Sequence, residues 1–416
     1  MAVHILWVKA GKLLPVDTGG KIRSFNLLRQ LATRNEVTLL SYYSGAPDPG
    51  YEDELCRIFP QAVAINTRAL DGSPAAQAVD YAYRAFSPAP YAVSKFTSSA
   101  VQKRIAEWDR AGQFDVAVCD FLSASLNFPA QPRTPTVLFQ HNVESILWRR
   151  QADTERHPLK RLVFAREARK MERYERDTVA RFSHVIAVSE TDRMAMATMT
   201  NPDRISVVPT GVDTLGFRPA VRNESPAPEV LFLGSMDWEP NIDAVQFFCD
   251  RSWPAIVRGV PGARFRVVGR NPPPSIQRLA SESVDIVGRV PSVGEHLQRA
   301  AVFVVPLRIG GGTRLKIYEA MGAAKAVVST AIGAEGLDVH HGHDIVLADD
   351  PASFADAVIR LLRDSAERRR LEDGALALAA RYDWSAVAGQ FESLLVRAIE
   401  TSERSAAAGD TARAVA

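Results

Sequence analysis

Residues 304–322 decide the fold, and they read VVPLRIGGGTRLKIYEAMG. An apolar run ends at Pro306, three glycines stand at positions 310–312, and a helical pattern begins near Thr313. A buried strand, a glycine loop and a helix in this order are parts of a strand–helix–strand unit, in which helices cover a parallel sheet. Glycine lets backbone N–H groups approach an anion closely, and a helix N-terminus carries partial positive charge. The stretch therefore predicts an α/β domain with an anion-binding loop.

Charged side chains on the predicted helix indicate an anionic ligand. Arg314 and Lys316 stand in its first turn, where the helix dipole disfavours cations. Thr313 is a suitable N-cap, and Glu319 lies one to two turns further on, where it can accept hydrogen bonds from vicinal hydroxyls such as those of a ribose. Solvated charges beside an ordinary turn are the alternative interpretation. A nicotinamide dehydrogenase is disfavoured, because the stretch has neither Walker nor Gly-x-Gly-x-x-Gly spacing.

The same alternation of strand and helix extends along the chain. Runs rich in Val and Ile predict strands at 3–8, 37–42, 115–120, 136–140, 184–189, 205–209, 230–234, 265–269, 284–288, 302–306 and 326–329. In the second half, helices are predicted at about 241–250, 293–300, 314–322, 352–363 and 366–380. Near-continuous apolar strands separated by helices are typical of parallel sheets buried on both faces.

A proline-rich interruption divides this pattern into two blocks. The pattern loosens between residues 201 and 229, and residues 217–228, with prolines at 219, 226 and 228, are the best candidate for a linker. We predict two doubly wound domains that face a cleft, one of residues 1–212 and one of residues 213–384. A helix at 385–400 is expected to pack back on the first domain. Residues 401–416 lack a core-forming pattern and are expected to be disordered.

Composition excludes several classes of protein. The 416 residues include 50 Lys and Arg against 48 Asp and Glu, a formal net charge of +2, so there is no global basic field of the kind that nucleic-acid binders use. Cys56, Cys119 and Cys249 are scattered, which disfavours a disulfide framework and fits a reducing compartment. No window has the roughly 18 apolar residues needed to span a bilayer. We expect a cytoplasmic protein that can associate peripherally with the inner face of the membrane.

Two constellations in the first half resemble binding sites. Residues 17–23, DTGGKIR, repeat the order of strand, glycine pair and helix, so Gly19 and Gly20 would line a second helix N-terminus across the cleft. A diphosphate held between the two N-termini would need no metal; a simple turn is the alternative. His141 directly follows an apolar strand, and we expect it to point into the cleft rather than into the core. A structural histidine is the alternative.

Two further clusters of charged or histidine residues are interpreted as surface features rather than binding sites. Residues 149–181 hold eleven basic and six acidic side chains and predict a solvated helix with ion pairs such as Glu172 with Arg176. The alternative for this helix is contact with an anionic membrane surface. His340, His341 and His343 are interpreted as a polar loop rather than a metal site, because no further ligand set is evident.

The chain resembles the family-4 retaining glycosyltransferases of GT-B fold. Residues 306–321 and 326–337 look like that family's donor-site signature, and the resemblance extends to about residue 400. It includes the glycine pair at 19–20, His141, and the segments 208–213 and 267–270. Residues 233–241, LGSMDWEPN, resemble a subgroup often found in bacterial surface-polysaccharide gene sets. The resemblance implies two Rossmann-like domains in the GT-B arrangement.

The resemblance also implies roles for individual residues. Glu319 matches the second glutamate of the family's Glu-x7-Glu motif, which binds the nucleotide ribose. Gly20 matches a glycine near the phosphates, His141 a histidine near the donor sugar, and Val290 a position whose backbone recognises the base. The loop that contacts diphosphate and sugar corresponds to Gly312, Thr313, Arg314 and Leu315.

Two positions depart from the family pattern. Gly311 stands where the first glutamate of the motif would be, so that glutamate's hydrogen bond to the transferred sugar must come from the backbone or elsewhere. The family's basic pair after the first strand of the second domain is replaced by residues 235–238, SMDW. We infer that Arg314 and Lys316 supply the missing positive charge.

The expected function is transfer of a sugar from a nucleotide-diphosphate sugar to a glycan, lipid-linked or small-molecule acceptor, with the retention that the resemblance implies. Arg314, Lys316 and the helix N-terminus would stabilise charge on the leaving β-phosphate. His141 would hold sugar hydroxyls rather than act as a nucleophile. No metal or other cofactor and no nucleic acid is expected. The alternatives are a sugar-nucleotide epimerase of the same fold and a non-catalytic nucleotide-sugar-binding protein.

Overall fold

The computed structural model describes residues 2–67, 74–155, 157–217, 228–309 and 315–414. The chain divides into two compact units. The first is formed by Met1–Pro209 together with Val387–Ala416, and the second by Thr210–Ala386. Each unit has its own sheet, and the strand pairs described in both sheets are parallel. The predicted doubly wound α/β class is confirmed.

The first unit is built on a seven-stranded sheet. Its strands are β1 (His4–Ala10), β2 (Glu36–Tyr43), β3 (Val63–Asn66), β4 (Val116–Asp120), β5 (Thr136–Gln140), β6 (His184–Ala187) and β7 (Ile205–Val207). The spatial order is β3-β2-β1-β4-β5-β6-β7. The chain winds outward from β1 to β3 and then returns to the other side of β1, where it forms β4. The carboxyl ends of β1 and β4 are therefore neighbours, and Lys9 is in register with Asp120. Ligands of doubly wound sheets bind at such a switch point.

Helices connect these strands. They are α1 (Gly19–Leu31), α2 (Pro49–Ile58), α3 (Pro74–Arg84), α4 (Tyr91–Ser94), α5 (Ser99–Ala111), α6 (Glu144–Thr154), α7 (Pro158–Arg181) and α8 (Glu190–Met196). Short 3-10 turns occur at Leu122–Asn127 and Pro202–Arg204. Within α1 the buried side chains Ser24, Leu27, Leu28 and Leu31 recur at spacings of three and four, which turns one face of the helix to the sheet.

The second unit is built on a six-stranded sheet. Its strands are β8 (Glu229–Leu233), β9 (Arg264–Val268), β10 (Val284–Gly288), β11 (Val302–Val305), β12 (Ala326–Ser329) and β13 (Val346–Leu347), in the order β10-β9-β8-β11-β12-β13. Its helices are α9 (Thr214–Phe217), α10 (Glu239–Phe247), α11 (Trp253–Gly259), α12 (Pro274–Gln277), α13 (Gly294–Arg299), α14 (Leu315–Gly322), α15 (Pro351–Arg363) and α16 (Ser365–Ala380), with a π-helical turn at Phe248–Ser252. The four residues of β11 are all buried, as expected for a central strand covered on both faces.

The last helix, α17 (Trp384–Ala414), starts in the second unit and ends in the first. Its buried Phe391 lies 5.5 Å from the ring of Trp7 on β1 and 5.0 Å from the ring of Phe139 on β5, centroid to centroid. The helix is described as far as Ala414, so it includes residues 401–414 of the segment for which the sequence predicts a disordered tail. Because alanine is the best helix former, a helix can continue here without the apolar pattern that the prediction looked for.

Two short strands are absent from the sequence prediction. β3 has four half-buried residues and β13 has two residues. Each lies in an apolar run of only four residues, 62–65 and 345–348, which is too short to identify a strand by itself. Within the described residues, no helix combines the length and the apolar composition that crossing a bilayer requires.

Candidate functional site

A pocket of about 350 Å³ lies in the second unit beside the start of α14. It is lined by Leu233, Gly234, Trp238, Asn241, Val293, Leu315, Lys316 and Glu319. Three of these residues, Leu315, Lys316 and Glu319, are predicted site residues, and the fold brings them to the carboxyl end of β8. This is the edge at which ligands of doubly wound sheets bind.

Lys316 reaches from α14 to the carboxyl end of β8. Its ammonium donates to the carbonyl oxygen of Leu233 at 3.0 Å and to Oδ1 of Asn241 at 2.9 Å, and it lies 4.4 Å from the centroid of the Phe232 ring. Asn241 is itself oriented, because its Nδ2 donates to the carbonyl oxygen of Ser235 at 2.8 Å. Both of these acceptors are uncharged oxygen atoms, and together they fix the position of the ammonium. The wall of the pocket therefore holds a fixed cation.

Glu319 lies one turn after Lys316 on α14. Burial raises the pKa of its carboxyl group, and the nearby Lys316 ammonium opposes that rise. The pocket wall thus combines the Lys316 ammonium with a half-buried carboxyl group. Such a pair can bind a ligand that has both anionic groups and hydroxyls.

Two glycines bring backbone segments close together beside this pocket. A Cβ added at Gly269 would lie 1.8 Å from the carbonyl oxygen of Gly234, and a Cβ added at Gly234 would lie 2.7 Å from Nδ2 of Asn241. A larger residue at position 234 would therefore displace Asn241, and with it the ammonium of Lys316.

The remaining predicted residues of the second unit are not all in this pocket. Val290 follows β10, is partly buried and packs against the core, so the structure does not bring it to the pocket. Directly before the glycine loop, Arg308 donates from Nε to Asp243 at 3.0 Å, and its guanidinium carbon lies 4.2 Å from the centroid of the Phe247 ring. The predicted loop residues that lie outside the described part of the chain are Gly311, Gly312, Thr313 and Arg314.

A second pocket, of about 510 Å³, lies in the first unit at the ends of β1, β4 and β5. Its twelve lining residues are Lys9, Ala10, Gly11, Lys12, Thr18, Gly19, Gly20, Lys21, Arg23, Phe121, His141 and Asn142. The fold therefore brings the three predicted residues Gly19, Gly20 and His141 together. Four of these twelve residues are cations and none is acidic, so the lining itself favours anions.

The ring of His141 forms part of the wall of this pocket. It stacks on Phe121, with 3.6 Å between the ring centroids. Its Nε2 atom lies 2.9 Å from Oδ1 of Asp120, and its Nδ1 atom lies 3.0 Å from Nη1 of Arg23. Because a guanidinium only donates, Nδ1 accepts and Nε2 carries the proton that points to Asp120. Burial lowers the pKa of His141 to about 4 although Asp120 opposes this, so the ring is neutral at pH 7. The ring is buried although it lines the pocket, and the partners of its two nitrogens offset the cost of removing them from water.

Asp120, the last residue of β4, organises this wall. It is fully buried, and its Oδ2 accepts from Lys9 Nζ at 2.9 Å, from Ser24 Oγ at 2.7 Å and from Trp7 Nε1 at 3.1 Å. Desolvation acts to raise the pKa of the carboxyl group, but Lys9 and His141 outweigh it and hold the pKa below its usual range. Asp120 is therefore a carboxylate that fixes one cation and one imidazole.

The sequence prediction missed Lys9 and Asp120. Each is a charged residue within or at the end of a run that is otherwise apolar, and each lies where a parallel strand ends. That is the signal that could have identified them, because a charge is retained in a buried strand only when it is paired.

Gly20, at the start of α1, has no side chain that would collide with Phe121 in the wall of this pocket. A Cβ added there would lie 2.6 Å from Cζ of Phe121, the ring that stacks on His141. Phe121 itself has a φ of 69°, an uncommon conformation for a residue with a side chain. The glycine therefore serves the packing of Phe121 and His141 as well as access to the helix N-terminus.

A buried glutamate on α7 fixes the loop that carries His141. Glu175 accepts from Nε2 of Gln140 at 2.8 Å, from the backbone N–H of Glu144 at 2.8 Å and from that of Ser145 at 3.0 Å. Burial and the charge of Glu175 together raise the pKa of Glu144 to about 7. The segment between β5 and α6 is thus held at both ends.

Two family models match most of the chain. Residues 18–214 match the model described as Glycosyltransferase Family 4, and residues 227–364 match the model described as Glycosyl transferases group 1. Both units therefore match glycosyltransferase models. This chain belongs to the family-4 glycosyltransferases.

Named relatives of this family-4 chain cover only part of it. It is 29% identical over 226 residues to the phosphatidyl-myo-inositol mannosyltransferase of Mycobacterium leprae, which is 52% of this chain and 58% of that protein. It is 26% identical over 140 residues to an uncharacterized 44.6 kDa protein in the cps region of Klebsiella pneumoniae, which is 31% of this chain and 36% of that protein. The chain thus spans between about a third and three fifths of these curated relatives.

A solved structure shows that the fold of this family-4 chain is GT-B. HepE from Anabaena, crystallised in complex with UDP, superposes with a TM-score of 0.62 at 15% identity, and the match covers 95% of this chain and 100% of HepE. The resemblance stated from the sequence is therefore confirmed for both family and fold.

Proposed function

We propose that this protein transfers a sugar from a nucleotide-diphosphate sugar to a glycan, lipid-linked or small-molecule acceptor, with retention at the anomeric carbon. The observation that carries the proposal is the position of Lys316, whose ammonium is held by oxygen atoms of Leu233 and Asn241 at the edge where doubly wound sheets bind ligands. Breaking the bond between sugar and diphosphate leaves negative charge on the β-phosphate. A preorganised cation stabilises that charge as it develops.

The other described site residues have complementary roles in this proposal. Glu319 accepts hydrogen bonds from the ribose hydroxyls, and Leu315 packs beside the ligand on the same helix. Gly19 and Gly20 line the cationic pocket of the first unit, where phosphate or sugar groups bind near His141. With cations and helix N-termini available for the diphosphate, the proposed reaction uses no metal. Arg314 is the second cation that the sequence assigns to the diphosphate.

The names of similar proteins support this assignment. The M. leprae relative is a mannosyltransferase, and the Anabaena structure was solved with UDP. The K. pneumoniae relative belongs to a cps region, in agreement with the polysaccharide subgroup that residues 233–241 resemble. We therefore place the reaction in polysaccharide or glycoconjugate biosynthesis, in the cytoplasm.

A donor screen followed by two substitutions tests the proposal. The purified chain is heated with UDP, GDP, ADP and TDP sugars in turn, because a ligand present at about 100 times its Kd stabilises a protein by about 2.7 kcal/mol. With the donor that binds, Lys316→Ala is expected to lower kcat/KM for nucleotide release by about 10²- to 10³-fold, the usual effect of losing one group that stabilises a developing oxyanion. Glu319→Ala is expected to raise KM for the donor.

Matched controls separate these effects from unspecific damage. Arg278→Ala and Glu282→Ala remove exposed charges elsewhere in the second unit and are expected to leave both constants unchanged. Conversion of the donor alone into an epimer would support the epimerase alternative. Binding of a nucleotide sugar without any turnover would support the non-catalytic alternative, and a chain that binds none of the donors would contradict the proposal.

A further inference from the structure

Six large apolar side chains are exposed on the first unit where α3 and the turn after it meet α7. They are Val79 (66% exposed), Tyr83 (83%), Phe86 (90%), Leu159 (69%), Leu162 (63%) and Val163 (39%), and we call them the α3–α7 surface. They are half of the twelve large apolar side chains that are exposed in the described part of the chain. Single exposed apolar residues are normal, but a cluster of them marks an interaction site.

Hydrogen bonds join the two parts of this surface. Nη2 of Arg166 and Nζ of Lys170 both donate to the carbonyl oxygen of Ala85, at 3.0 and 2.8 Å. Phe86 is the next residue, so it lies beside this turn of α7. On α7 the apolar positions 159, 162 and 163 precede position 166 at spacings of three, four and seven, which places them on the same face of the helix. Phe86 and the three apolar positions of α7 therefore form one stripe along a face of α7, and Val79 and Tyr83 stand on the preceding helix α3.

Cations border the stripe. Between residues 158 and 171, α7 contains five Lys and Arg side chains and one acidic residue, Glu167, which is 2% exposed. Lys160, Arg161 and Arg169 are exposed to solvent in this segment. Arg169 follows positions 162 and 166 by seven and three residues and so lies on the face of the stripe, and Lys160 lies at its border, whereas Arg161 points to the other side of the helix. The charge beside the stripe is therefore positive. A helix with exposed leucine and valine beside Lys and Arg has the composition of helices that lie in a membrane interface.

We propose that the α3–α7 surface binds the interface of an anionic lipid bilayer. The apolar side chains enter the boundary between headgroups and acyl chains, and the cations lie at the level of the lipid phosphates. Charge complementarity favours this partner over a second copy of the chain, because two positive faces brought together would repel each other. The proposal goes beyond sugar transfer and does not depend on it, since no residue of this surface lines either pocket.

Vesicle flotation without any nucleotide sugar tests the proposal. The full chain is mixed with vesicles of phosphatidylcholine alone or of equal parts phosphatidylcholine and phosphatidylglycerol. We expect the bound fraction to be at least about tenfold larger with the anionic vesicles, and to fall as salt is added, because salt screens the contribution of the cations.

Two double variants separate the apolar and the charged contributions. Leu159→Ser with Leu162→Ser shortens the apolar stripe, and Lys160→Glu with Arg169→Glu reverses two exposed charges beside it. Each double variant is expected to lower the bound fraction about tenfold or more. The matched control is Met194→Ser, which removes a 55% exposed methionine from α8 and is expected to bind like the unchanged chain. All of these positions are exposed, so the folded structure tolerates the changes.

Three outcomes would overturn the proposal. Equal binding to neutral and anionic vesicles would contradict the role of charge, and unchanged binding of both double variants would place the lipid contact elsewhere. A chain that is dimeric in the absence of lipid and becomes monomeric on Leu159→Ser with Leu162→Ser would identify the surface as an interface between two copies. Donor binding measured on the same variants shows whether the pockets are intact, so failure here is distinct from failure of the proposed transfer reaction.

Discussion

At Asp120 a single carboxylate accepts hydrogen bonds from four side chains of different types. Lys9, Ser24 and Trp7 donate to one of its oxygens and the ring of His141 to the other. Lys9 and Asp120 are 3% and 0% exposed, so each is the counterion that allows the other to remain charged inside the protein. Such pairs add little net stability by themselves, but removal of one partner leaves an uncompensated buried charge.

The substitution Asp120→Asn is therefore expected to destabilise the first unit by about 3–5 kcal/mol, because the Lys9 ammonium loses its counterion. The double variant Lys9→Met with Asp120→Asn is expected to lose less, since no unpaired charge remains. Urea unfolding of both proteins gives the two values. The control is Asp115→Asn, an exposed position directly before β4, where the asparagine oxygen can still accept from the backbone N–H of His4. Its expected cost is below about 1 kcal/mol. Equal stability of Asp120→Asn and Asp115→Asn would contradict the paired-charge interpretation.

Some neighbours in the two pockets could be predicted from the sequence, and others could not. Gly19, Gly20 and His141 could be predicted as neighbours, because each follows a strand of one parallel sheet. The pairing of Lys9 with Asp120 could not, because the two residues are 111 positions apart and meet only through the crossover that sets β4 beside β1. In the second unit, Lys316 could be predicted as a site residue, but its hydrogen bond to Asn241 depends on packing between α14 and α10.

At the scale of elements, the central strands were predictable and the edges were not. β5 and β11 are buried at every position. β11 is apolar throughout, and β5 has three consecutive apolar residues between Thr136 and Gln140, as expected for strands covered on both faces. The edge strand β3 is half-buried at all four positions, and β13 is two residues long. Their apolar runs, 62–65 and 345–348, are so short that they do not distinguish a strand from a helix or a loop. The ends of helices are equally hard to predict, since α17 continues past residue 400 on local helix propensity.

The contact between β6 and α17 predicts a pH dependence of stability. Burial, assisted by Arg397 of α17 and by Arg204, lowers the pKa of His184 from 6.5 to about 4, and its Nε2 lies 3.0 Å from Oγ of Ser206. Below pH 6.5 the unfolded chain binds a proton at this histidine that the folded chain does not bind. Stability is therefore complete above pH 6.5 and is lost as the pH falls towards 4, by up to about 3 kcal/mol.

The variant His184→Gln isolates this contribution. Glutamine can keep a hydrogen bond to Ser206 but does not titrate, so the variant is expected to lose less stability than the unchanged chain between pH 7 and pH 4. Other groups, including His141 and Glu144, titrate in both proteins. Their contributions to the free energy of unfolding therefore cancel when one curve is subtracted from the other. Urea unfolding at a series of pH values provides these curves. Parallel curves would show that His184 is not responsible.

At the scale of the whole molecule, the path of the chain makes the first unit depend on residues that are far apart in sequence. Residues 1–209 form its sheet, but Val387–Ala416 belong to the same unit although Thr210–Ala386 lie between them in the chain. The link is made by α17, whose Phe391 is fully buried against Trp7 and Phe139. Glu392 adds an ion pair to Arg34 at 3.2 Å and accepts a hydrogen bond from Asn35 at 2.7 Å. The first unit is therefore complete only when the last helix is in place.

Phe391→Ala is expected to weaken the first unit by about 3–5 kcal/mol, because it removes a buried ring and leaves a cavity between two others. Hydrogen exchange measured by mass spectrometry reports the two units separately: peptides from β1 and β5 should lose protection, whereas peptides from β8 and β11 should keep it. The matched control is Val396→Ala, a 36% exposed position on the same helix, which should change neither set. Equal loss of protection in both units would mean that they unfold as one, and unchanged protection of β1 and β5 would mean that the first unit is stable without the Phe391 contact.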